Sequence, residues 1–348
     1  MVATFPRNDR LSYGSDSSGL ICGYVFARDQ RAIPVDSAAA QEWLKVSREQ
    51  NATKPVAPEF IWLHFSLSNV NSEKWLEAHL DLPTHYFDTL HEGPGSTRIE
   101  QADDCLVAVI NDVIFDFSYE APQIATLWMC VHCTYVVSAR LHSLRSIDRL
   151  RVSVKSGEQF ESPISLLTHL LRDQADVLEQ IGRNAVAHVD RIEDGLLAGV
   201  AVEKRNTLGS LRRVFVRLRR LLAPEPGALF RLLTRPPVWF TEKDAQDLRA
   251  ASEEFSSVLN DLGALQERTK LLQEEISMHT TEQTNRSVYL LTVVTVLALP
   301  INIIAGLLGM NVGGIPLAQE AYGFWIIVAL IVAFTGIAAW FAIFKKRD

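Results

Sequence analysis

Motifs that bind nucleotides or build catalytic metal sites are missing from this chain of 348 residues. It has no Gly-x-Gly-x-x-Gly fingerprint, no P-loop and no His-Glu-x-x-His pair. Those patterns mark dinucleotide enzymes, nucleotide hydrolases and zinc proteases. We therefore expect no enzyme activity, no cofactor and no nucleotide partner.

Excess positive charge and abundant cysteine are also missing. The formal net charge is −7, which does not favour a nucleic-acid partner. The N-terminus lacks a basic start followed by an apolar core, so we expect no secretory signal and a cytoplasmic N-terminal domain. The four cysteines, Cys22, Cys105, Cys130 and Cys133, should then be reduced.

Two long stretches near the C-terminus contain no Asp, Glu, Lys, Arg or His. They are residues 287–308 and 324–344. Each reaches the roughly 20 residues that a helix needs to cross a bilayer, so we predict two transmembrane helices, TM1 and TM2. The alternative is a pair of buried core helices, which seldom stay uncharged over such a length.

Flanking charge predicts the orientation of this hairpin. Arg286 precedes TM1, the tail 345–348 is basic, and the connecting loop 309–323 has no Lys or Arg. By the positive-inside rule, both termini lie in the cytoplasm and the loop lies outside.

The N-terminal part, 1–160, mixes strand-like and helix-like segments. Strands are predicted at 19–27, 59–67, 105–117 and 125–139, where β-branched and aromatic residues are frequent. A short helix, capped by Asn71 or Ser72, should end near Pro83. The segment therefore predicts an α/β domain with a mixed or antiparallel sheet.

From residue 161 the apolar period becomes helical. The region 161–240 should hold a helix from Pro163, a basic helix over 203–222 and a turn at 224–227. A stalk helix, 241–286, starts at the N-cap Thr241 and continues into TM1, for a length of about 100 Å. Its apolar stripe needs partners from the same chain or from copies of it. The stripe comprises Leu248, Phe255, Leu259, Leu262, Leu272 and Ile276.

A polar stripe follows TM1, and we call it the seam. On a helical wheel its members gather within about a third of the circumference. They are Asn285, Val288, Thr292, Thr295, Leu299 and Asn302. Polar groups at membrane depth face protein or water, so the seam predicts an oligomeric pore lined by TM1. Alternatively, Thr292, Thr295 and Asn302 only bond neighbouring helices.

Three other groups of residues leave alternatives open. The acids of the stalk either pair with the basic helix or form a funnel that concentrates cations; His279 and Glu282 are then candidate inner-mouth metal contacts. The basic residues of 212–220 could touch anionic lipid or hold anions. The Cys130–Cys133 segment lies in a predicted strand, which favours packing over a zinc site.

TM1 ends within the sequence PINIIAGLLGMN (300–311), which contains Gly309, Met310 and Asn311. A Gly-Met-Asn tripeptide after the first of two C-terminal spans is the signature of the CorA family of divalent-cation transporters. The chain resembles this family over nearly its whole length, with the specific motif in the C-terminal third. Magnesium-transporting members continue the signature with Met-Pro-Glu-Leu, whereas this chain has a different sequence at 312–316. In this respect the chain is similar to the zinc-transporting ZntB branch of the family. The resemblance implies a funnel-shaped homopentamer in the cell inner membrane, with a ring of Asn311 at the outer pore mouth.

The resemblance therefore implies Zn²⁺ as the cargo. Because the seam offers no zinc-selective ligands, we expect Cd²⁺, Ni²⁺ and Co²⁺ to be carried as well. Gly309 should allow close backbone approach or a positive φ, and Met310 should pack beneath the loop. The resemblance implies proton coupling, but the spans hold no Asp, Glu or His, so protons would need Glu320, His279, Glu282 or the funnel. The alternatives are a Mg²⁺/Co²⁺ channel and a membrane-anchored scaffold without transport.

Overall fold

The computed structural model describes residues 14–27, 30–51, 59–114, 124–197, 205–310 and 322–344. The chain divides into two compact units, Met1–Gln273 and Glu274–Asp348. The finer division into the segments 1–160, 161–240, 241–286, 287–308, 309–323, 324–344 and 345–348 stays a prediction.

A seven-stranded mixed sheet forms the centre of the first unit, as the sequence predicts. Its strands are β1 (Leu20–Phe26), β2 (Ile33–Val35), β3 (Phe60–Ser66), β4 (Arg98–Ala102), β5 (Cys105–Val113), β6 (Ile124–Val131) and β7 (Tyr135–Arg140). Their order is β2-β1-β3-β7-β6-β5-β4. The β3–β7 pair is parallel, and the other neighbouring pairs are antiparallel.

Helices cover both faces of this sheet. The first layer consists of α1 (Ser37–Asn51), α2 (Asn71–His79) and α3 (Thr84–Glu92). The second contains α4 (Arg145–Ser156), α5 (Pro163–Leu197), α7 (Pro224–Thr234) and the start of α8 (Glu242–Leu308), while α6 spans Arg205–Leu222. Alternating side chains divide between the layers: Leu63 packs with the first, and Trp62 with the second.

The prediction of one strand over 125–139 is wrong, because the chain reverses at 132–134 to form a hairpin of β6 and β7. The backbone N–H of His132 donates to the carbonyl of Tyr135 at 2.8 Å, and the His132 ring contacts the Thr134 hydroxyl at 2.9 Å. A turn of this kind, with no Gly, Pro or Asn, carries no sequence signal.

Two local predictions also need correction. Asn71 and Ser72 lie inside α2 rather than capping it, since Val70 occupies the N-cap without a side-chain bond and the Ser72 hydroxyl donates to the Ser66 carbonyl at 2.6 Å. The predicted turn at 224–227 is the first turn of α7, with Pro224 at its start, where proline is favoured because no N–H is needed there.

Helix α8 has 67 residues and continues through Pro300. The predicted cap is confirmed: the Thr241 hydroxyl accepts from the Asp244 N–H at 3.1 Å, and the Asp244 carboxylate accepts from the Thr241 N–H at 3.0 Å. This reciprocal pairing satisfies two helix-end donors. All the predicted stripe residues are buried within the single chain, namely Leu248, Phe255, Leu259, Leu262, Leu272 and Ile276.

The second unit contains the C-terminal part of α8 and helix α9 (Gly323–Phe344). Of the residues that the structure describes, α8 has the length and apolar composition to cross a membrane, and α9 is apolar over Gly323–Ile337. Within the most apolar window of α8, no residue is buried. Residues 115–117 of the predicted strand 105–117 lie outside the described part of the chain.

Candidate functional site

The seam lies along one exposed face of α8 in the second unit. Its six residues are all exposed; even the apolar members Val288 and Leu299 are 55% and 56% exposed. Successive members are alternately three and four residues apart. Spacing with a mean of 3.5 keeps a stripe facing a neighbouring helix when the helices supercoil left-handedly.

The hydroxyl groups of the seam have a defined orientation. Thr292 donates to the Val288 carbonyl and Thr295 donates to the Leu291 carbonyl, each at 2.8 Å. Because the hydroxyl hydrogen is used within the helix, the remaining lone pairs of each oxygen are left to accept. These two residues therefore present acceptors, rather than donors, at the surface of α8.

Pro300 adds a further acceptor near the seam. It lies inside α8, and its ring nitrogen carries no hydrogen. The carbonyl of Val296, four residues earlier, therefore lacks its usual partner within the helix. From 287 to 308 the helix has no Asp, Glu, Lys, Arg or His side chain, so it carries none of the side chains that are ordinarily charged at neutral pH.

The upper end of α8 places Gly309 in a crowded backbone turn. Its N–H donates to the Ala305 carbonyl at 2.9 Å, and an added Cβ would lie 3.1 Å from that same oxygen. Close approach is thus what glycine permits here, and the expectation of a positive φ is wrong, since only Gly19, Gly93 and Gly157 have one among the described glycines.

Met310 is 49% exposed in the single chain, so the expected packing beneath the loop is not seen there. Asn311 and Glu320 lie outside the described residues. Their predicted roles stay predictions.

Below the seam, the same face of α8 forms a groove of about 490 Å³. Its lining residues are Glu274, Ser277, Met278, Thr281, Glu282 and Asn285. Glu274, Met278 and Thr281 continue the three-and-four spacing of the seam. Their place on this face could have been found from the sequence by continuing the helical wheel from Asn285 back to Glu274. His279 is exposed but does not line the groove.

Ion pairs of the first unit connect α8 to α5. Arg268 binds Asp190 at 2.7 Å and also Glu193; the hydrogen bond to Glu193 is the main cause that raises the pKa of Arg268. The expected pairing between the acids of α8 and the basic residues of α6 is wrong for the described residues, since no arginine of 212–220 pairs with a carboxylate there. The carboxylates that pair with Arg268 of α8 come from α5, and the one that pairs with Lys243 is Glu161, just before α5.

The Cys130–Cys133 segment forms part of the β6–β7 hairpin. Cys130 is fully buried, which confirms its packing role, while Cys133 contacts the ring of His132 at 3.6 Å. Burial lowers the pKa of His132 despite the nearby carboxylates of Asp104 and Asp81. Across the described ranges, no cluster of three His, Cys, Asp or Glu side chains is placed to hold a metal.

Comparison with known proteins gives consistent matches over most of the chain. The family model described as "CorA-like Mg2+ transporter protein" matches residues 58–346. The Pseudomonas aeruginosa "Divalent cation transporter CmaX" is 29% identical, covering 91% of this chain and 93% of its own. "Zinc transport protein ZntB" of Yersinia pseudotuberculosis is 25% identical, covering 89% and 93%.

The fold agrees with a solved relative. The structure of full-length CmaX superposes with a TM-score of 0.75 at 26% identity, covering 96% of this chain and 99% of that one. An N-terminal α/β domain, a long helix and a C-terminal helix are thus the parts of a CorA-like fold. Because the family model spans more than half of its length, the chain belongs to the CorA family of divalent-cation transporters.

Proposed function

We propose that this chain assembles as a homopentamer in the cell inner membrane and conducts divalent cations, with Zn²⁺ as the main cargo. The pore would be formed by the seam of α8 from each copy. The observation that carries this proposal is a neutral, polar, exposed stripe on a helix that is otherwise apolar enough for a bilayer. Both termini would lie in the cytoplasm, as the basic flanks of the spans indicate.

Several copies of the chain are needed to cover the polar seam of α8 within a membrane. Polar side chains are costly in hydrocarbon and usually face a protein interior or water. Two helices from one chain cannot enclose a column of water. A stripe with a mean spacing of 3.5 can face the same stripe of neighbouring copies, and a closed ring of identical subunits is the usual solution. The number five comes from the family resemblance.

The seam chemistry suits a cation that keeps part of its water shell. Hydroxyl oxygens of Thr292 and Thr295, the amide of Asn302 and the Val296 carbonyl are neutral oxygen acceptors, which interact with a hydrated divalent ion without trapping it. Thiolate and imidazole ligands that would dehydrate Zn²⁺ are not among the seam residues. We therefore expect Cd²⁺, Ni²⁺ and Co²⁺ to pass as well.

The two ends of the pore would have different roles. At the outer mouth, a ring of Asn311 from the Gly309–Met310–Asn311 motif would select hydrated cations. At the inner mouth, the carboxylates of Glu274 and Glu282 would raise the local cation concentration. His279 is a secondary candidate, because it is exposed beside the groove without lining it.

Zinc is favoured over magnesium by the loop after Asn311, which lacks the Met-Pro-Glu-Leu continuation, and by the similarity to proteins named zinc transport proteins. The rival cargo, Mg²⁺ or Co²⁺, is supported by the description of the family. Since the spans carry no Asp, Glu, Lys, Arg or His side chain, conduction should be downhill and channel-like, without an obligatory proton.

The test is ion flux into proteoliposomes, with Zn²⁺ and Mg²⁺ as separate cargoes and with and without a pH gradient. We expect Zn²⁺ entry by the unmodified protein and a loss of entry for Asn311→Ala. The matched control is Asn260→Ala, which removes an exposed amide from the first half of α8 and should leave flux unchanged.

Each alternative predicts a different outcome. A scaffold without a pore would carry neither ion, a magnesium channel would carry Mg²⁺ in preference, and a proton-coupled transporter would move Zn²⁺ only with the pH gradient. Equal flux in Asn311→Ala and the unmodified protein would contradict the proposed outer mouth.

A further inference from the structure

Helix α6 carries several positively charged arginines close together on its surface. Arg212, Arg213, Arg217, Arg219 and Arg220 form no ion pair with any carboxylate in the part of the chain that the structure describes. Elsewhere in the first unit several guanidinium groups are neutralised, for example Arg268 by Asp190 and Glu193.

Four of these arginines surround one pocket of about 410 Å³. Its lining residues are Gly209, Arg212, Arg213, Val216, Arg217, Arg220 and Gln273. Arg213, Arg217 and Arg220 are separated by four and three residues, which places them on one face of the helix. Arg219 points elsewhere, since its guanidinium lies 3.3 Å from the position of a Cβ on Gly263.

Few of the donors around the pocket are used. Arg212 donates to the Gln273 amide oxygen at 3.3 Å, and the buried Nε of Arg217 has no hydrogen-bond partner. Like charges three and four residues apart disfavour a helix, and an unpaired buried N–H is costly. An anion that accepts several N–H bonds would remove both costs at once.

The lining residues define the chemistry of that anion. Planar guanidinium groups match the oxygens of phosphate in a two-pronged geometry, and four of them exceed the charge of a single phosphate group. Among the described residues that line the pocket there is no aromatic side chain, and Val216 is the only apolar side chain, so these residues offer no surface on which a nucleobase could stack.

We propose that this arginine pocket binds an anion carrying two phosphate groups. The same chemistry is available from a soluble diphosphate and from a lipid headgroup with two phosphates. The site lies in the first unit and does not depend on the cargo of the proposed pore. Carboxylates of a second copy are the competing occupant, and the test below distinguishes them.

The experiment measures protection of the arginines from phenylglyoxal by mass spectrometry, on the full-length protein. One arm uses detergent-solubilised protein with pyrophosphate. The other uses phosphatidylcholine bilayers with and without cardiolipin. We expect labelling of Arg213 and Arg217 to fall about tenfold in one arm, which also identifies the source of the phosphate. Arg249, an exposed arginine outside the pocket, should be labelled equally throughout.

Two variants keep the outcome interpretable. In the double variant Arg213→Gln/Arg217→Gln, the affinity for pyrophosphate measured by calorimetry, or the protection from phenylglyoxal by cardiolipin, should weaken about tenfold. The variant Arg249→Gln, which removes one charge, should change neither quantity. Because the replaced side chains do not form ion pairs, thermal stability should not fall. The proposal would be overturned if neither phosphate source protected the arginines from phenylglyoxal. It would also be overturned if the arginines reacted with phenylglyoxal only after the oligomer is dissociated.

Discussion

The two halves of helix α8 have the same secondary structure and opposite surroundings. In the first half, Leu248 and Phe255 are fully buried within the chain. In the second, every residue from 281 to 292 is exposed. The difference shows that the first half finds its partners in its own chain, whereas the second half is left uncovered by it. We propose that lipid and other copies of the chain cover the second half.

The chemistry of the two stripes differs accordingly. The buried stripe consists of Leu, Phe and Ile, which gain free energy by leaving water. The seam consists mainly of Thr and Asn with two apolar residues, on a helix whose other faces are apolar. A polar stripe on an apolar helix is the inverse of the pattern in a water-soluble bundle. This inverse pattern is what the proposed assembly requires, with water at its centre and lipid around it.

The largest expected effect separates the two stripes by stability. Phe255→Ala removes a fully buried ring and should lower the free energy of unfolding by about 3–5 kcal/mol. Leu299→Ala truncates a side chain that is 56% exposed and should change it by less than about 1 kcal/mol. Thermal or denaturant unfolding of the solubilised protein measures both. Equal losses would mean that the seam is packed core.

A smaller loss of stability is expected at the start of the buried half. The Asp244 carboxylate accepts from the N–H and hydroxyl of Thr241 and from the Ser162 hydroxyl. Asp244→Ala should therefore cost about 1–2 kcal/mol in unfolding experiments. Asp247→Ala is the control, because its carboxylate is exposed and lies 3.9 Å from Arg172. If both variants behaved alike, the cap would not be what fixes the start of α8.

In the seam, we expect an effect on flux rather than on folding. Thr292→Val keeps the shape of the side chain and removes the acceptor oxygen, so Zn²⁺ flux should fall by up to about tenfold, whereas Thr292→Ser should retain most of it. Thr335→Val is the matched control, since Thr335 on α9 makes the same type of bond, to Ile331 at 2.7 Å. Equal flux loss in both variants would indicate a general packing defect.

The smallest effect concerns the exposed ion pairs of the first half. Arg268 is 42% exposed beside Asp190 and Glu193, so Arg268→Ala should cost only about 0.5 kcal/mol in unfolding experiments and leave flux unchanged. A loss of more than about 2 kcal/mol would show that α5 and α8 depend on this contact more than on their apolar stripe.

Periodicity and composition predicted much of this structure. The 67-residue helix, its Thr241 cap, and strands β1, β3 and β5 follow from uninterrupted patterns. The hairpin turn at 132–134 could not be predicted, because an apolar run without a turn residue carries no local signal for a reversal. Helices α1, α3 and α4 were not predicted, since packing on the sheet, which a local sequence pattern does not show, stabilises each of them.

The partners of charged residues were even less predictable. The acids and arginines of α8 and α6 suggested mutual pairing, yet Asp190 and Glu193 of α5 are what Arg268 meets. Tertiary placement decides which charges become neighbours, and helix sequences alone do not contain it.

The central claim is that the seam faces water inside an assembly, and cysteine scanning along 288–302 tests it most directly. In a background without the native cysteines, single cysteines would be treated with a membrane-impermeant thiol reagent. The account predicts rapid modification at Val288, Thr292, Thr295 and Leu299, with slow modification at Val294 on the opposite face. Uniform rates, or rapid modification centred on Val294, would contradict it.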